Sequence, residues 1–137
     1  MDGGTALRSS SASLLVAVVS FLVLGCALAS DPDEGAAEFA EANRRAKAHH
    51  DRAPEYLPEA AARSADVFLA AAKACHRAIE DHQLVVTLDE RGEIVEAFVS
   101  PSTRGTRCIA EQVRGAVLPD PPFAPFYLWL RWEPSTN

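Results

Sequence analysis

Apolar residues recur with a period of two in three short stretches. Leu84, Val86 and Leu88 alternate with Val85 and Thr87, which is the pattern of a half-buried strand. Ile94 to Val99 reads as the return strand, and Pro101 ends it. Between the two, Asp89-Glu90-Arg91-Gly92 predicts a type I turn with the glycine in the left-handed position. In the third stretch, Phe126 to Trp132, the residues Phe126, Leu128, Leu130 and Trp132 share one face. Tyr127, Trp129 and Arg131 share the other.

Two longer stretches carry the helical period instead. From Glu59 to Asp81 the stripe is Val67, Phe68, Ala71, Cys75, Ala78 and Ile79; from Thr103 to Val117 it is Cys108, Ile109, Val113, Ala116 and Val117. "LPDPPFAP" is too rich in proline for either regular element. The order helix, strand, strand, helix, strand predicts an α+β domain. Two helices pack on one face of a small, mainly antiparallel, three-stranded sheet.

Upstream, residues 31–52 favour helix by propensity but hold one large apolar residue, Phe39. They predict a loosely docked N-terminal helix or a solvated tether, ended by Pro54 and Pro58. Residues 12–29, "ASLLVAVVSFLVLGCALA", contain no charge and follow a weakly positive start, the profile of an export signal. As a helix they would span about 27 Å, so an uncleaved anchor is a third reading. Ala27-Leu28-Ala29 suits an ordinary signal peptidase, whereas Leu22 to Cys26 resembles a bacterial lipobox that would leave Cys26 acylated. The chain thus divides into a signal or lipoprotein signal (1–29), a charged helical tether (30–58) and the α+β domain (59–137).

Cleavage at either site leaves Cys75 and Cys108 as the cysteines able to pair. In an oxidising compartment an even pair reads as a disulfide; the alternative is two buried free thiols. Both lie on inward helix stripes, so the bridge would staple helix to helix. Closing a loop of 33 residues stabilises a fold by roughly 3 to 4 kcal/mol on the chain-entropy model.

Net charge is −6, and cleavage leaves it unchanged because Asp2 and Arg8 cancel. The arginines form no basic stripe, which argues against nucleic acid as a partner. His49 and His50 point about 100° apart on a helix and do not share an ion; His76 and His82 would fall on different faces of one helix. Cys75 faces the core while His76 points elsewhere, so they make no nucleophile and base pair. Asp89, Glu90, Glu93 and Glu96 read as turn and strand-surface residues rather than an acid and base. With no phosphate-binding glycine loop and no nucleophile elbow, the reading is non-catalytic, with no cofactor and no metal.

What remains is the last strand. Tyr127, Trp129 and Arg131 are residue types enriched in binding hot spots, and a strand at a sheet edge can accept a partner strand. The alternative is that these side chains cover the sheet beneath the helix around Phe39.

A helix carrying a cysteine, the hairpin "VVTLDERGEIVEAFV", the helix "RCIAEQVRGAVLP", a proline-rich bend and the strand "FYLWLRW" together resemble the TonB C-terminal-like domain. The resemblance is to its two-cysteine form in myxobacterial and other proteobacterial envelope proteins, and covers about residues 72–132. It implies a periplasmic or membrane-anchored protein facing the periplasm. It also implies a protein partner in the envelope, met through the sheet. Energy-transducing members use a His in an uncleaved anchor and a long proline-rich span. Here no His precedes His49, and residues 30–58 are short and helical. A structural accessory subunit that makes contact through its helical region, or an unrecognised enzyme, are the other readings.

Overall fold

The strand β1 (His82–Leu88) runs through the middle of the sheet, with β2 (Ile94–Ser100) and β3 (Phe126–Trp132) antiparallel on its two sides. These come from a computed structural model that describes residues 32–76 and 80–133. The helices are α1 (Pro32–Arg52), α2 (Leu57–Cys75) and α3 (Arg104–Val113), with a short 3₁₀ turn at Pro54–Tyr56 between the first two. The class is α+β, as expected.

Leu84, Val86 and Leu88 point to the face covered by α2 and α3. There they join Ile94, Phe126 and Leu128 under Phe68, Ala71, Ile109 and Val113 in one buried cluster. Each of the larger side chains contributes about 1.5 to 3 kcal/mol by leaving water. The opposite face is also covered. Phe39, Ala42 and Ala46 of α1 bury Val85, with Phe98, Tyr127 and Trp129 packed around them. Val85 is therefore 0% exposed and Thr87 3%, where the alternation predicted a half-buried strand. From Pro32 to Arg52 the segment expected as a loosely docked helix or a solvated tether is one helix laid along the sheet. Alanines at positions 42 and 46 let its backbone approach closely, and Phe39 is the one large apolar side chain it places on the sheet.

Both core-side helices are shorter than their periodicity suggested. Pro58 sits in the first turn of α2, and the helix stops at Cys75 with His76 in the left-handed conformation (φ 49°). Ala78 and Ile79 of the expected stripe lie outside the described residues. His82, expected on the same helix, instead opens β1 and is buried. At the start of α3, the Thr103 hydroxyl accepts from the Thr106 N–H (3.2 Å) and the Thr106 hydroxyl from the Thr103 N–H (2.8 Å). This is a capping box with threonine in the usual Glu/Gln place.

The helix α3 ends at Val113 because the chain then turns back to the hairpin. Gly115 (φ 81°) donates to the Ile94 carbonyl, Ile94 donates to Ala116, and Leu118 donates to Gly92, each at 2.9 Å. Val117, expected inward, is consequently 55% exposed. The hairpin turn itself matches its sequence. Gly92 (φ 77°) donates to the Asp89 carbonyl at 3.0 Å, and the Asp89 carboxylate accepts from the N–H groups of Arg91 and Glu93 at 2.9 Å.

Cys75, at the end of α2, is bonded to Cys108 in α3, their Cα atoms 6.0 Å apart. The bridge links the two helices of one face. Reducing it in the otherwise unchanged chain is expected to lower unfolding free energy by about 3 to 4 kcal/mol, read from denaturant midpoints with and without reductant. The two turn glycines should respond differently to alanine. A Cβ on Gly92 would strike the Leu118 carbonyl and lie 2.7 Å from that of Pro119, whereas one on Gly115 meets nothing within 4 Å. Gly92→Ala should cost at least about 2 kcal/mol more than Gly115→Ala, which carries only the left-handed backbone penalty of about 1 kcal/mol.

Candidate functional site

β3 is an edge strand, so among the described residues one side of its backbone has no neighbouring strand. Its N–H groups alternate between β1 and this open side. Two successive outward amides are occupied by side chains from the last turn of α1. Tyr127 N–H donates to His49 Nδ1 (3.0 Å) and Trp129 N–H to His50 Nε2 (3.2 Å). An accepting ring nitrogen has no proton, so neutral His49 carries its hydrogen on Nε2 and neutral His50 on Nδ1. Adjacent helical residues diverge, yet outward amides two residues apart on a strand are separated by about 7 Å, and the divergence spans that gap. The sequence read the pair as solvated; they are half-buried strand caps instead.

His49 is boxed by the rings of Phe123 (4.9 Å between centroids), Phe126 (5.3 Å) and Tyr127 (5.6 Å). Arg52 lies 4.1 Å over the Phe123 ring, and Arg45 lies 5.4 Å over Tyr127 and donates to its hydroxyl at 2.9 Å. Burial lowers the pKa of His49, and the charges of Arg52, His50 and Arg45 push the same way. Burial also lowers that of His50, against an opposing pull from Asp51. Tyr56, at the α1–α2 junction, donates to the Pro119 carbonyl at 2.7 Å. Burial first, then Glu59 and Asp120, raise its pKa to about 12.

The three strand residues singled out from sequence have different surroundings. Tyr127 and Trp129 lie half-buried against α1, and Trp129 Nε1 donates to Gln83 at 3.1 Å. Arg131 is exposed and ion-paired with Asp81 (3.2 Å) and Glu133 (3.0 Å), which together raise its pKa. Cys26 lies outside the described residues.

On the α2 side of the same edge runs an apolar groove of about 500 Å³. Phe68, Leu69, Leu130 and Trp132 line it, and Trp129 and Arg131 stand at its lip. Leu69 is half exposed, an apolar residue set off the core stripe of α2. A leucine off the stripe is the sequence signal that could have pointed to the groove, and the periodicity reading passed over it. Nothing in the sequence signals the histidine caps, which depend on α1 crossing the strand at one register.

Among the described residues no three His, Cys, Asp or Glu side chains converge as a metal site, and no helix is long and apolar enough to cross a membrane. Comparison with family models, curated proteins and solved structures finds no match.

Phe39 is the main anchor of α1. Phe39→Ala should cost about 3 kcal/mol and raise hydrogen exchange at Tyr127 and Trp129 by at least tenfold, leaving the α2–α3 face unchanged.

Proposed function

We propose that this is an exported, non-catalytic cell-envelope protein that holds a protein partner at the β3 edge. It stands at the membrane through a lipid on Cys26, or is free in the periplasm after cleavage beyond Ala29. The Cys75–Cys108 bridge supports an oxidising compartment. The likeness of residues 72–132 to TonB C-terminal-like domains supports the class of partner, an extended segment of another envelope protein.

The observation that carries the reading is the groove between α2 and β3. It is apolar, lies beside an edge strand and is bordered by Trp129 and Arg131. An extended segment could lay alternate apolar side chains into it while its backbone met β3. Arg131 at the lip is paired with two carboxylates, Asp81 and Glu133, so the cluster carries no free positive charge, which suits apolar residues rather than an anionic ligand.

The second reading, an accessory subunit that makes contact through its helices, draws on the polar outer face of α1, with Arg44, Lys47 and Ala48 exposed. Photo-crosslinking residues placed singly at Leu69, Arg44 and Val95 in cells separate the two. A single protein adduct from Leu69, weakened at least tenfold by Leu130→Glu, is the expected result. An adduct from Arg44 without one from Leu69 would favour the helical reading, and one from Val95 would move the site to β2.

A further inference from the structure

If a partner adds to β3, the closed structure blocks part of the edge it needs. Two outward amides are taken by His49 and His50, and α1 lies over Tyr127 and Trp129. Both caps are histidines accepting through a ring nitrogen, the one side-chain acceptor that protonation near neutral pH converts to a donor. A protonated imidazole would point an N–H at an N–H. We propose that His49 and His50 form a proton-operated latch on the β3 edge: neutral, they occupy the Tyr127 and Trp129 amides; protonated, they release the edge for the partner strand.

The surroundings make this latch shut at neutral pH. On α1, Arg45 and Arg52 flank His49, and the two histidines repel each other once charged; Asp51 alone pulls the other way, at His50. From β3 the Tyr127 phenol faces His49, and from the preceding loop the Phe123 ring does. The Tyr127 and Phe123 rings would favour a cation, but Arg45 and Arg52 already stand over them. Arg131, two residues beyond Trp129, has its charge paired with Asp81 and Glu133.

The direction of the pH effect follows. The latched form holds both rings below their ordinary value of 6.5, whereas the open form titrates near it. The open form therefore binds more protons over the window beneath 6.5. Closure is complete above that window and is lost as pH falls through the lowered values of the latched state. Two linked protons make the change steeper than one.

The purpose of the latch rests on the docking reading above, but its operation is tested without a partner. Amide exchange of the full chain, followed by NMR and expressed as protection relative to intrinsic rates, compares pH 7.5 with pH 5.0. Protection at Tyr127 and Trp129 should fall at least tenfold. Leu128, whose N–H faces β1, is the internal control and should change less than twofold. In the double variant His49→Gln/His50→Gln the amide oxygens accept without titrating, and protection should become independent of pH. The imidazole resonances of the unaltered chain should titrate below 6.5, inside the window over which protection is lost. Unchanged protection at Tyr127 and Trp129, an equal loss at Leu128, the same loss in the double variant, or imidazole titration outside that window would each overturn the latch. A working latch with no Leu69 adduct at either pH would count against the docking reading alone.

Discussion

The structure depends on the burial of β1 from both sides. Leu84 to Leu88 are all buried, although a strand in a sheet of three has two edges and two faces to close. Each of the four boundaries is met by a different element. β2 and β3 take the edges, α2 with α3 takes one face, and α1 takes the other. A two-stranded hairpin alone is marginal in water, so the elements are stable only together. The disulfide acts on one layer of this arrangement, holding α2 against α3 and leaving α1 attached by packing and side-chain hydrogen bonds alone.

That difference in attachment bears on function. The bridged face is the more firmly held one, because α2, which forms one wall of the groove, is tied covalently to α3. The α1 face is held by one phenylalanine, two alanines, the aromatic box around His49 and three hydrogen bonds to an edge strand. If the molecule has a movable part, α1 is the element with the weakest hold. It also covers the residues whose composition first suggested a binding strand.

The strands were legible because apolar residues gather in three short runs and the turn between the first two is marked by Asp89 and Gly92. β3 was readable to the residue, since six of its seven residues are aromatic or leucine and the run lies between a proline-rich bend and Glu133. Helix lengths were less legible. Periodicity continues past Cys75 and past Val113, but His76 adopts a left-handed cap and Gly115 turns the chain toward Ile94, both set by tertiary contacts. The docking of α1 over Tyr127 and Trp129 was legible only as an alternative to an open binding face, because alanine contributes little hydrophobic signal even where its small size is what permits close packing. The paired histidines were opaque for a stronger reason. Their meaning depends on strand amides more than 75 residues away, and two adjacent histidines carry no trace of that.

The placement of β3 has a consequence for how the molecule is made. The strand that completes the sheet is supplied by residues 126–132, and it contacts α1, the first described helix, as well as β1. A growing chain that lacks those residues has β1 open along one edge, an incompletely covered Phe39 and no strand amides for His49 and His50. The contacts that complete the fold join residues far apart in sequence, so the sheet closes only once the last strand has been made.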